Sequence, residues 1–199
     1  MSSVPYRMGC HDMLAARINP ETVTQKIANV IITTGKERFF NENDLIVSKT
    51  DTGGRITYAN DVFLRVAGLK ETAALGAPHS IIRHPDMPRA VFKLLWDTLG
   101  NGQEIFAYVK NLASNGDHYW VLAHVTPSYD RTGKLTGYHS SRRLPSREAV
   151  ASIAPLYESL LEVENKAPSR KTGLENSVSA LFAILHEKGI VYDEFVLSL

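Results

Sequence analysis

The dipeptide Asn115-Gly116 stands between two runs, residues 104–113 and 117–127, that alternate in side-chain type. Asn-Gly supplies the positive backbone angles of a two-residue hairpin turn, so the runs are expected to pair as antiparallel strands. Pairing then assigns faces, because successive strand side chains point to opposite sides. Ile105, Ala107, Val109 and Asn111 share one face of the first strand, and Phe106, Tyr108 and Lys110 the other. On its partner, Tyr119, Val121, Ala123 and Val125 line one side, and His118, Trp120, Leu122 and His124 the other. Both faces are substantially apolar, whereas a sheet with one face in water alternates apolar with polar, so cover on both sides is expected. The small Ala107, Val109, Val121 and Ala123 leave room around the lone amide of Asn111, which makes that face the candidate for a pocket. The bulkier face, with Phe106, Tyr108, Trp120 and Leu122, is the candidate interface, expected to meet an N-terminal helix or a second subunit.

The flanking sequence extends this pattern. Residues 45–49 and 56–59 read as two strands joined by Asp51-Thr52-Gly53-Gly54, and residues 134–142 as a strand following the hairpin. Asn60 caps a short helix carrying Val62, Phe63 and Val66 that Gly68 stops, a polar turn covers residues 70–76, and a longer helix runs from about Arg89 to Leu99. Two strands, short helices, then three strands define an α+β fold: a five-stranded antiparallel sheet with helices gathered on one face. Helical spacing recurs outside it. Val23, Ile27, Val30 and Ile31 follow Asn19-Pro20-Glu21, Val150, Ile153, Tyr157 and Leu160 follow a Ser146 cap, and a third helix opens at Thr172 with Glu175 and closes at Gly189. The expected division is a helical extension over 1–43, a central domain over 44–144 and a second helical extension over 145–199. The apolar tail beyond Gly189 is expected to dock on the core, since its surface is costly to leave in water.

Charge narrows the partners. The chain has 22 Lys and Arg against 21 Asp and Glu, which leaves no electrostatic footprint for nucleic acid or an anionic membrane. With a single cysteine, Cys10, no run of apolar residues long enough to span a bilayer and no signal-type segment at the start, the expectation is a cytoplasmic protein without membrane insertion.

The strongest local motif is Ile81-Ile82-Arg83-His84-Pro85-Asp86-Met87-Pro88 leading into the helix with Trp96. Read from residue chemistry alone, Arg83 and Asp86 are spaced to pair, the prolines to hold a loop and Trp96 to fill a core. The whole segment IIRHPDMPRAVFKLLW, with ITYAND upstream and VKN and NGDHYWV downstream, resembles the PAS domain of bacterial aerotaxis receptors over about residues 45–143. That resemblance implies the five-stranded PAS fold and a pocket that holds FAD noncovalently as a redox sensor, with cofactor-side roles for Asn60, Arg83, His84, Asp86, Trp96 and Asn111. A guanidinium fork, an indole face and a side-chain amide are chemically suited to such a cofactor. Ile105 departs from the pattern, standing where the family carries an aromatic side chain.

Other chemistries find less support. Light-driven flavin chemistry needs a cysteine beside the ring, and Cys10 lies outside the expected core. His79, His84, His118, His124 or His139 could each be drawn as a haem ligand, and His79, His84 and Asp86 as a metal site, but none falls in a recognised spacing. No P-loop, nucleophile elbow or kinase signature is present, so no catalysis is expected. The functional expectation is a sensory or regulatory module acting through a protein signalling partner and as a homodimer, in control of motility, chemotaxis or the cell cycle. Its alternative is an FAD redox or oxygen sensor of the aerotaxis type.

Overall fold

Alternation in the strand sequences and local caps on the helices build most of what a computed structural model shows for residues 31–199, of which 33–199 form one unit. The strands are β1 (Ile46–Thr50), β2 (Ile56–Ala59), β3 (Ile105–Leu112), β4 (His118–Tyr129) and β5 (Leu135–Arg143). They form an antiparallel sheet in the order β2-β1-β5-β4-β3. Three short helical pieces, α1 (Asp61–Ala67), α2 (Glu71–Ala74) and a 3₁₀ turn (His79–Ile82), precede the longer α3 (Arg89–Gly100). Asn60 accepts from Phe63 N–H to cap α1, and Gly68 ends it in the left-handed region, as its sequence predicts. The polar stretch expected as a turn holds the single helical turn of α2.

The hairpin is wider at its tip than Asn-Gly suggests. Gly116 N–H donates to Ala113 O (2.9 Å) and Ala113 N–H to Asp117 O (2.8 Å), so Ser114, Asn115 and Gly116 form a three-residue connection. Only Gly116 has positive φ, which is the bulged loop that follows a type I turn.

After β5 the chain makes α4 (Arg147–Lys166), α5 (Arg170–Lys188) and α6 (Tyr192–Leu197). Ser146 caps α4 as expected, but α5 starts earlier than the capping box at Thr172: Ser169 is its cap and accepts from Thr172 N–H. The apolar tail becomes α6, whose Tyr192, Phe195 and Val196 are buried.

These helices correct one expectation. The face with Phe106, Tyr108, Trp120 and Leu122 is covered by the chain's own C-terminal helices, not held open for another subunit. Trp120 is 8% exposed and stacks on Tyr157 of α4 at 6.2 Å, while Tyr157 Oη donates to the backbone oxygen of Tyr108 at 2.7 Å. Phe106 and Leu122 are half-buried against the same core. The physical reason is that tail and sheet each carry an apolar surface and reach one another within a single chain. The free edge of β3 is met as well: Met87 Sδ accepts from Lys110 N–H at 3.2 Å, and the Asp193 carboxylate faces Phe106 N–H. The helix expected over residues 23–31 falls almost wholly outside the described residues. Residues 34–38 run beside the hairpin end without helix, Arg38 N–H donating to His118 O at 2.7 Å.

Trp120→Ala is expected to lower the unfolding free energy by about 3–5 kcal/mol, the range for emptying a buried aromatic site. Urea unfolding monitored by circular dichroism measures it, and a change below about 1 kcal/mol would show that α4 does not seal this face.

Candidate functional site

Between the inner sheet face and α3 lies a cavity of about 150 Å³. Ala123, Val109 and Val125 of the hairpin form part of its floor, and Leu95, Leu99 and Phe92 of α3 part of its roof. Small side chains on the strands keep it open, as alternation across the hairpin predicts. Trp96 stands at the side where the cavity meets solvent, 43% exposed and edge-on to Tyr138 at 5.3 Å. The tight turn at Gly54 lies beside that indole, and its positive φ is what calls for glycine there.

Polar atoms are set into this apolar lining without partners. Asn111 Nδ2, Ser140 Oγ, Thr50 Oγ1 and Arg142 Nη1 are buried, belong to lining residues and make no hydrogen bond. Buried polar groups in folded proteins are overwhelmingly satisfied, and each one left over costs about 1–3 kcal/mol. Four such atoms surround one hollow, which makes it the candidate site.

Arg142 is the centre of the set. It is 4% exposed, and its Nη2 donates to Ser48 Oγ at 3.0 Å and to His79 Nε2 at 2.7 Å. Burial draws its pKa down to about 10, which still leaves the guanidinium charged at neutral pH. His79 accepts that bond as a neutral ring, because burial first and the Arg142 charge second pull its pKa down to about 3. The proton of His79 is therefore on Nδ1.

Of the six residues expected at the cofactor, Arg83, Trp96 and Asn111 line the cavity. Arg83 is half-buried with its guanidinium over the Phe92 ring at 4.1 Å, and its backbone bridges Asn111. Asn60, His84 and Asp86 do not line it. Asn60 is spent on backbone, its Oδ1 accepting from Val47 N–H and Phe63 N–H and its Nδ2 donating to Leu45 O. His84 is buried against His118, ring centroids 5.7 Å apart, and its Nδ1 accepts from Asp86 N–H. Burial, then the Lys110 charge, lower the His84 pKa to about 4, so it is neutral and makes no ion pair with Asp86 despite their 3.5 Å approach. Asp86 is exposed and pairs with Lys110 at 2.7 Å. Ile105 is core, 1% exposed, and does not line the cavity. Arg142, His79, Ser48, Thr50, Ser80 and Ser140 are polar lining residues that sequence reasoning did not assign to the pocket; for Ser48, Ser140 and Arg142 the signal was the period of two from Ser140 to Arg142 in register with Ser48.

An antiparallel sheet of this order with short helices over one face is the architecture that the comparisons with known proteins also find. Residues 56–142 match the model of the PAS fold. The sequence is similar to that of the aerotaxis receptor of Escherichia coli K12, 43% identical over 119 residues, which are 60% of this chain and 23% of the receptor. The nitrogen fixation regulatory protein of Klebsiella pneumoniae is 25% identical over 147 residues, 74% of this chain and 28% of that protein. The chain thus spans about a quarter of the length of these curated relatives. A solved light-oxygen-voltage domain, described in work with a flavin analogue, superposes with a TM-score of 0.50 at 17% identity, covering 58% of this chain and 86% of that one. Among the described residues no helix is long and apolar enough to cross a membrane.

Burial lowers the pKa of His79, His84, His118 and His139, and the first two, lowered furthest, set a pH dependence. Unfolded, His79 and His84 take a proton near 6.5; folded, they refuse it until about 3 and about 4. Their contribution to stability is whole above pH 6.5 and is lost as pH falls toward those lower values. Each adds a slope of at most about 1.4 kcal/mol per pH unit in that window. Urea titrations from neutral pH down to pH 5 should show unfolding free energy falling, and His79→Gln should flatten the fall; a wild-type stability independent of pH there contradicts the assignment.

Proposed function

We propose that this chain is a non-catalytic sensory module in signal transduction, in which the occupancy of the cavity sets the position of α3 and the C-terminal helices carry that change to a protein partner or a second copy. The observation that supports the first half is the ring of unpartnered polar atoms around the hollow. Support for the second half is a buried carboxylate that ties the two regions together. Glu164 of α4 has only 3% of its side chain exposed, accepts from Arg89 Nε at 2.8 Å and accepts from Ala90 N–H at 3.0 Å, so it caps the start of α3. Arg89 Nη1 also donates to Arg170 O at the start of α5, at 2.7 Å. The helix that roofs the cavity therefore cannot shift without disturbing α4 and α5, which is the kind of element a ligand can bias.

A flavin, FAD in the resemblance to aerotaxis receptors, is the second reading. The residues present fit the accepting edge of its ring: Asn111 Nδ2 and Arg142 Nη1 are free donors, and Trp96 offers an aromatic surface beside the opening. Bound there, a flavin would supply a redox-dependent change in charge and hydrogen bonding. Asn111 and Arg142 would hold its edge, and α3 would exclude water from it. A soluble signalling partner in a reducing, cytoplasmic setting is consistent with either reading.

An absorption spectrum of the purified full chain separates the two readings: flavin bands that bleach with reductant establish the second. Amide hydrogen exchange then tests the coupling. Loading the cavity should slow exchange in α3 and in α4–α5 together, and Glu164→Gln should confine the change to α3. Equal protection of both regions in wild type and variant would refute the proposed relay.

A further inference from the structure

We infer that the cavity is an organic-anion site, taking a molecule with an apolar body of about one ring and a carboxylate-like group that pairs with Arg142. This rests on the reading of the cavity as a ligand site and adds the chemical class of the ligand. The argument is one of unmatched charge. Arg142 is fully charged and almost wholly buried, yet among the described residues no carboxylate forms an ion pair with it. The two side chains that hold it, Ser48 and His79, are both neutral. Tyr119 cannot serve, because burial raises its phenol further from ionisation. Phe63 offers only a ring face at 5.7 Å. A buried ion costs several kcal/mol unless a counter-charge with good hydrogen bonds answers it. Among the described residues the place for the missing counter-charge is the cavity, which Arg142 lines with an Nη1 that has no partner.

Asn111 Nδ2, a donor, and the Ser140 and Thr50 hydroxyls, which can donate, are also unpartnered in the same lining. Together they suit a group rich in acceptors, which a carboxylate is. Arg83, the other cation of the lining, already lies over Phe92 and feels the charge of Glu164, so it is less in need of an anion. The remaining wall is apolar, with Ile82, Leu95, Leu99 and Val109 among it, which favours an organic body over a hydrated inorganic ion. The volume, about 150 Å³, is the size at which an engineered apolar cavity admits benzene. Benzoate is therefore the natural probe.

The test compares melting of the full chain, at neutral pH and constant ionic strength, in millimolar benzoate, benzamide, chloride or riboflavin. Benzoate should raise Tm by several degrees, benzamide should bind about tenfold more weakly or worse, and chloride should not substitute. Arg142→Met should abolish the benzoate preference, and Val109→Phe, which fills the hollow but leaves the arginine, should abolish binding. Equal affinity for benzamide or riboflavin, or benzoate binding that survives Arg142→Met, would overturn the anion assignment while leaving the cavity a ligand site. Protection by chloride equal to that by benzoate would overturn the organic half of it. No response of the wild type to any probe would overturn both.

Discussion

A charged arginine that a strand places inside a sheet, with neutral partners only, constrains everything around it. Arg142 points inward because β5 pairs with β1 in a register that sets Ser140 against Ser48 and Arg142 against Ile46, all four buried. That register depends on the close approach of the two strands at Gly137, where a Cβ would overlap the carbonyl oxygen of Thr50. Once Arg142 is inside, His79 must remain neutral to accept from it, and the 3₁₀ turn that carries His79 is held against the sheet. The cavity exists because the rest of the floor is built from small residues, while the wall above it is a helix that cannot sink further without meeting these polar groups.

The second organising contact is at the other end of that helix. The N-cap of α3 is Pro88, which offers no side-chain cap, and the first-turn donor Ala90 N–H goes to a carboxylate 74 positions later in the chain. Binding energy spent at the cavity can move α3 only by straining this contact or carrying it along. Both routes end in the α4–α5 pair. The covered outer sheet face fits that arrangement, because α4 lies between the hairpin and solvent through Tyr157 and Trp120.

Much of this was legible in the sequence wherever the cause is local. Alternation placed Asn111 and its small neighbours on the inner face, the caps at Asn60, Ser146 and Gly189 bounded three helices, and the motif around Arg83 and Trp96 led to two lining residues and to the PAS fold. Legibility failed where the cause is tertiary. His84 and Asp86 sit beside Arg83 in sequence, but the chain turns at Pro85 and sends them away from the cavity, one into contact with His118 and the other to Lys110. Asn60, given a cofactor-side role by the resemblance, is the helix cap that its sequence predicts and does not line the cavity. Arg142 was hidden because Arg142-Arg143 at the end of a polar strand reads as a solvated pair; only the pairing with β1 shows that one of the two faces inward. The fate of the bulky face was likewise set by where the last helices dock, which no local pattern states.

Native mass spectrometry of the intact, gently purified chain tests most directly whether the cavity is built for an occupant. The account predicts a folded species heavier than the bare polypeptide by one small molecule, with that mass lost on acid unfolding. A folded species at the mass of the bare polypeptide, unchanged after incubation with cell extract metabolites, would contradict it.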